Sequence, residues 1–115
     1  MNIIQIINNK KDYKMVIKHD DYMIKRLQDP IFQKKWIEET MRDYIETGDY
    51  NAFFRGLEYV IKSRMTVAQF AKNIGMDRVQ LTDILHGKNK NPSLQTITKI
   101  LSGFGYTLSI SEQIA

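Results

Sequence analysis

The stretch from Thr66 to Asn91, TVAQFAKNIGMDRVQLTDILHGKNKN, restricts the possible folds of this chain more than any other. Val67, Phe70, Ala71 and Ile74 fall at i, i+3, i+4 and i+7, the apolar face of a short helix. Thr66 stands just before that helix with Gln69 three residues on, a Thr-x-x-Gln box that satisfies backbone donors left over at a helix start. Gly75 follows the last apolar position, where a helix end favours a residue free to take positive φ. Asp77 and Gln80 repeat the start signal, and Leu81, Ile84 and Leu85 form the inner face of a second helix that Gly87 ends. Two short capped helices around a glycine-containing turn predict a helix-turn-helix.

The sequel strengthens this pattern. Gly87-Lys-Asn-Lys-Asn-Pro92-Ser93 leads into another amphipathic helix, with Ile97, Ile100, Leu101 and Phe104 on its apolar side. Gln69-Phe70-Ala71, Gly75, Leu81, Ile84, Gly87-Lys88, Asn91-Pro92-Ser93-Leu94, Ile97, Leu101 and Gly105 together resemble the lambda-repressor-like, Xre-type DNA-binding domains. Gly48-Asp49, Asn91-Pro92-Ser93 and the ending Gly103-Phe-Gly-Tyr-Thr-Leu-Ser resemble more closely the HigA-like "addiction module antidote" antitoxins. That pattern covers about residues 29–111, most strongly from 49 onward. One departure is Asp77, where these families often carry Ser; both residues cap helices, so the expected fold is the same.

The chain has 115 residues, 43% of them hydrophobic, enough for one domain with a core, with or without an appendage. It has no cysteine, hence no disulfide frame and no thiolate metal site. No apolar run approaches the ~18 residues that span a bilayer, and the opening MNIIQIINNKK carries its charge after the apolar segment, the reverse of a signal peptide. A soluble, cytoplasmic protein is the expectation. The net charge is +4, and residues 49–115 hold eight Lys/Arg against five Asp/Glu, so the excess sits with the motif.

The expected architecture is mainly α: a lambda-repressor-like helix-turn-helix bundle with an N-terminal helical extension and short β-strands at the termini. Residues 1–28 read either as two short strands around Asn8–Asp12 or as a segment that orders on a partner, with a helical turn from Asp20 through Leu27. Residues 29–48 form an amphipathic helix opened by Asp29-Pro30, with Phe32, Trp36, Ile37, Met41, Tyr44 and Ile45 at helical spacing. The helix-turn-helix domain runs over 49–105, and its first helix, Tyr50 to Ser63, turns Phe53, Leu57, Val60 and Ile61 inward. In 106–115, Tyr106, Leu108 and Ile110 alternate with Thr107, Ser109 and Ser111, the period of a strand. Such a strand must pair with the N-terminal strands, with its copy in a second subunit, or with a partner's sheet edge.

Catalysis is not expected, nor any cofactor or metal. His19 and His86 are isolated, no Gly-rich phosphate loop follows a strand, and the pairs Asp20-Asp21 and Glu38-Glu39 diverge on a helix or loop. Asp83, His86 and Ser93 make a triad only on paper, since two of them fall on the helix expected to face DNA.

The chemistry these residues do support is DNA reading. With Leu81, Ile84 and Leu85 inward, Arg78, Val79, Gln80, Thr82, Asp83 and His86 are left outward. Arg78 has the planar fork that grips guanine O6 and N7. Gln80 reads adenine or serves only its cap, and Val79 or the Thr82 methyl meets a thymine methyl. Asp83 accepts from cytosine N4 or makes a salt bridge with a neighbouring Lys or Arg. Lys88, Asn89 and Lys90, with His86, meet phosphates after the helix, and Thr66 and Gln69 do so at the first motif helix's N-terminus. One recognition helix covers few base pairs, so a two-fold homodimer on double-stranded DNA is expected.

The resemblance implies an antitoxin of a type II toxin–antitoxin module that represses its own operon and neutralises a small basic RelE/ParE-like toxin. A stand-alone or phage-type Xre repressor without a toxin is the rival, and an interaction module that has lost DNA affinity is a third reading. Acidic and apolar residues interleave over 20–47, and Trp36, Glu38, Glu39, Asp43 and Tyr44 are the candidate toxin contacts. The same residues equally suit a helix packed on the DNA-binding domain with its acids in water, and Trp36 suits a core anchor.

Overall fold

Nearly every helix starts where a side chain caps it. The computed structural model describes residues 19–113. Within them run α1 His19–Arg26, α2 Pro30–Thr47, α3 Tyr50–Arg64, α4 Val67–Ile74, α5 Arg78–Leu85 and α6 Leu94–Gly103. Asp29 accepts the Ile31 N–H at 3.0 Å ahead of Pro30, and Asp49 accepts the Ala52 N–H at 3.1 Å. Thr66, Asp77 and Ser93 hold the N–H groups of Gln69, Gln80 and Thr96, each at 3.1 Å. Each such cap stabilises its helix by ~1 kcal/mol. The reciprocal half of the Thr66 box does not form: the Gln69 amide reaches forward to Asn73 Oδ1 at 2.9 Å, its neighbour one turn on.

The molecule is assembled around α3. Phe53, Phe54, Gly56, Leu57, Val60 and Ile61 are all buried, because α1, α2, α4 and α5 all pack against this helix. An amphipathic helix with one buried stripe needs Phe53, Leu57, Val60 and Ile61; Phe54 and Gly56 are added because α3 is covered on more than one side. Tyr44 of α2 stacks on Phe53 with ring centroids 4.9 Å apart, and Phe53 meets Phe54 at 5.0 Å. A glycine inside a helix costs about 0.5–1 kcal/mol. Gly56 is there for space: an added Cβ would lie 3.3 Å from both Trp36 Nε1 and Thr40 Cγ2. The Trp36 indole N–H donates to the Gly56 carbonyl at 3.2 Å, so the single tryptophan anchors α2 on α3.

The buried face of α2 differs from its expected one. Ile37 is buried and Phe32, Trp36, Met41 and Tyr44 are partly covered, but Ile45 is 75% exposed. Gln33, which hydrophobic spacing passes over, is buried. Its amide N–H donates to the Leu27 carbonyl at 2.8 Å and to Ser63 Oγ at 3.2 Å. Its carbonyl oxygen accepts from Arg64 Nε at 3.1 Å and also from Arg64 Nη2, while Arg64 Nη1 donates to the Phe104 carbonyl at 2.9 Å. One glutamine thus ties the α1–α2 turn to the end of α3 and, through Arg64, to the end of α6. Where α1 meets α3, the Tyr59 hydroxyl donates to Asp20 Oδ1 at 2.6 Å. Burial first, then that hydrogen bond and the Asp20 charge, push the Tyr59 hydroxyl up to about 12.

The terminal strands are the main correction. Among the described residues there is no strand. Tyr106 closes the end of α6 by donating its N–H to the Leu101 carbonyl at 3.0 Å, and its hydroxyl approaches Gln33 Oε1 at 3.5 Å. From Thr107 to Gln113 no hydrogen bond joins the backbone to another described residue, and Leu108 and Ile110 stand in solvent. Alternation gives a segment two faces, but a strand exists only once a neighbouring backbone supplies the ladder. Both readings of residues 1–18 lie outside the described residues.

Candidate nucleic-acid interface

Helices α4 and α5, eight residues each, meet at a turn of three residues. Gly75 takes φ +68°, donating to the Lys72 carbonyl at 3.2 Å, and Met76 donates to the Ala71 carbonyl at 2.9 Å. This paired closure needs a left-handed residue, which glycine adopts without a Cβ clash. The chain then passes through Met76 to the Asp77 cap, which starts α5. Leu81 and Ile84 are fully buried and Leu85 nearly so, which holds α5 against α3 and α4. A further contact sets the other flank: a Cβ on Gly103 would come 2.7 Å from Phe70 Cζ, so α6 lies very close to α4.

This anchoring leaves the first turn of α5 in water. Arg78, Val79 and Gln80 are exposed, Val79 to 65% although it is apolar. Thr82 and Asp83 are half-buried on the flank. Asp83 makes no ion pair among the described residues; its backbone carbonyl instead accepts the N–H groups of Lys88 at 2.8 Å and Asn89 at 3.2 Å. That closure turns the chain out of α5 and leaves Lys88, Asn89 and Lys90 exposed in the following loop, where Asn89 Oδ1 accepts the Asn91 N–H at 3.2 Å. Thr66 and Gln69 are exposed at the start of α4.

His86 has a partner that spacing did not show. Its Nε2 lies 2.8 Å from Glu58 Oε2 on α3, and the same carboxylate oxygen is 3.9 Å from Lys62 Nζ. The end of α5 is therefore tethered to α3, and this ring nitrogen of His86 already faces a carboxylate rather than solvent. On the other side of the motif, Gln80 borders a shallow groove of about 270 Å³ shared with Gln95, Thr96 and Lys99. Lys99 Nζ approaches the Gly75 carbonyl at 3.4 Å, bringing a cation from α6 to the turn. Lys99 sits on the polar side of α6, and only the packing of α6 on α4 places it there.

Of the five candidate toxin contacts, three lie fully on the surface and two are half-buried. Glu38, Glu39 and Asp43 are exposed, whereas Trp36 and Tyr44 turn toward Gly56 and Phe53 of α3.

Residues 58–110, from the second half of α3 past the end of α6, match the family described as Helix-turn-helix. This segment is an Xre-type helix-turn-helix domain. Such domains belong to DNA-binding regulators and not to an enzyme family. The match begins within α3, so α1, α2 and the first half of α3 lie outside it. Comparison with curated proteins and with solved structures gives no match. No helix among the described residues is long and apolar enough to cross a membrane.

Proposed function

We propose that the protein is a sequence-specific repressor that lays α5 in the major groove of an operator. The observation that carries this reading is the exposed first turn of α5. An arginine fork, an apolar side chain and an amide stand together in water on a helix whose other face is locked into the core. Arg78 suits guanine, Val79 a thymine methyl and Gln80 adenine. Asp83, half-buried and outside any ion pair among the described residues, suits cytosine N4. Thr66 and Gln69 meet phosphate at the N-terminus of α4, and Lys88, Asn89 and Lys90 meet it in the loop. His86, tethered to Glu58, positions the end of α5.

Selection of binding sites from random duplex DNA tests this reading, and recovery of no preferred sequence refutes it. Lys88→Ala and Lys90→Ala are each expected to weaken binding to all duplexes alike and to flatten the salt dependence by about one unit. Mobility shifts over a range of salt concentrations read both effects.

The narrower reading is an antitoxin acting in the cytoplasm on a RelE/ParE-like toxin. Its support is the resemblance over residues 29–111 and the exposed acids of α2, Glu38, Glu39 and Asp43, with Glu38 beside the solvent-exposed Ile45. Such a face suits a basic partner. The test is made on the full chain, because α2 covers Phe53 on α3 and its removal would open the core. Reversing the three acids to lysine is expected to abolish rescue of cells that express a toxin-like neighbouring gene while leaving operator binding intact. Unchanged rescue rejects this surface, and a locus without such a gene favours the stand-alone repressor.

A further inference from the structure

We propose that Lys99 and Gln95 of α6 grip a backbone phosphate of the operator beside the start of α5, which extends the DNA interface onto the last helix. The idea rests on the DNA-binding reading, but its site is read from the structure. The groove of about 270 Å³ is walled by Gly75 and Met76 of the turn, Gln80 of α5, and Gln95, Thr96 and Lys99 of α6. Among the described residues no Asp or Glu lines it. Its polar side chains are an ammonium, two amides and a hydroxyl, a set rich in donors that suits an anion.

Helical spacing makes half of this arrangement. Gln95 and Lys99 stand at i and i+4, so they share the polar face of α6, away from the buried Ile97, Ile100 and Leu101. The packing of α6 on α4 makes the other half, because it brings that face to the turn and to Gln80. Lys99 Nζ comes within 3.4 Å of the Gly75 carbonyl, a long contact that uses one of its ammonium N–H groups and leaves the others free. The side-chain amides of Gln80 and Gln95 are exposed and have no hydrogen-bond partner among the described residues. Asp77, next to Met76 in the chain, turns its carboxylate to the Gln80 N–H at 3.1 Å and does not line the groove.

A phosphate held here flanks the bases that the first turn of α5 faces, whereas Lys88, Asn89 and Lys90 follow the other end of that helix. α5 is then clamped at both ends, and its register on the duplex is fixed before any base is read. The contact itself carries no sequence information. A different use of Lys99, neutralising the carbonyl end of α4, involves neither a phosphate nor Gln95. The two uses are therefore separable by experiment.

Mobility shifts with the full chain, on a synthetic duplex carrying the site recovered by selection, test the proposal. Lys99→Ala is expected to flatten the log–log salt dependence by about one unit, so that its deficit against the wild type shrinks about three- to fourfold between ~50 and ~200 mM salt. Its helical circular dichroism is expected to match the wild type, because Lys99 is exposed. Gln95→Glu is expected to weaken binding to every duplex while keeping or raising thermal stability. A carboxylate in the first turn of α6 repels the phosphate but favours the helix start. Single methylphosphonate substitutions along the duplex, each removing one phosphate charge, locate the contact. One position is expected to weaken the wild type and Lys88→Ala severalfold and to leave Lys99→Ala unaffected. A Lys99→Ala protein with the affinity and salt dependence of the wild type overturns the proposal. So does a weaker binder for which no substituted position falls silent, since Lys99 then only supports the end of α4. In both cases the wild type still binds and the DNA reading stands, whereas a wild type that selects no duplex refutes that reading and this contact together.

Discussion

Replacing Gln33 with leucine is expected to cost about 2–4 kcal/mol of folding stability, although the substitution keeps the side chain's size and adds apolar surface. The reason lies in what the amide leaves behind. The Leu27 carbonyl and the Ser63 hydroxyl lose a donor at 2.8 and 3.2 Å, and the Arg64 guanidinium loses the oxygen that orients it toward the Phe104 carbonyl. A buried acceptor without a partner carries its desolvation cost of about 1–3 kcal/mol, and Gln33 serves several such groups at once. Ser63→Ala removes one of these bonds and is expected to cost about 1 kcal/mol. Urea unfolding read at constant m separates the two variants. A Gln33→Leu protein within 1 kcal/mol of wild type would show that these hydrogen bonds are replaced by water without loss. Operator affinity of the folded variant is expected to be unchanged, because none of the Gln33 bonds involves α4 or α5.

Arg78→Ala carries the largest expected effect on function. It should weaken binding to the preferred operator by about 1–3 kcal/mol and relax the preference at one base pair, with little effect on non-specific duplex. Arg78→Lys is expected to recover little of the specificity, since a point charge cannot grip guanine O6 and N7 in parallel. The geometry behind this is simple: Arg78 is the first residue of α5, exposed, with no ion-pair partner among the described residues to hold it away from a base. Titrations on matched and single-substitution operators at one fixed salt concentration give the answer. A uniform loss over all duplexes, with a flatter salt dependence, would make Arg78 a phosphate contact like Lys88.

The parts of this protein that were legible in the sequence are those set by neighbours along the chain. A capping oxygen reaches an N–H two or three residues away, and a left-handed glycine closes the turn it follows. Asp29, Asp49, Thr66, Asp77, Ser93 and Gly75 therefore act where the sequence places them. The trio Leu81, Ile84 and Leu85 is equally local, since period 3.6 alone decides that they share a face. With that face inward, the exposure of Arg78, Val79 and Gln80 follows from the same period.

Tertiary structure decided the remainder, because the partners concerned lie far apart in the chain. Ile45 has the right spacing for a core but ends up in water, while Gln33 is buried by its approach to Ser63, Arg64 and the Leu27 carbonyl. Gly56 is needed because Trp36, 20 residues earlier, lies against it. His86 hydrogen-bonds Glu58, 28 residues away, a tether that local spacing does not show; Lys99 reaches the motif's turn only through the packing of α6 on α4. The alternation from Tyr106 to Ser111 sets which side chains would share a face of a strand, but not whether a strand exists. Helices close their hydrogen bonds within their own segment and so appear in a single sequence, whereas strands, buried polar hubs and interhelical tethers take half of each bond from somewhere else.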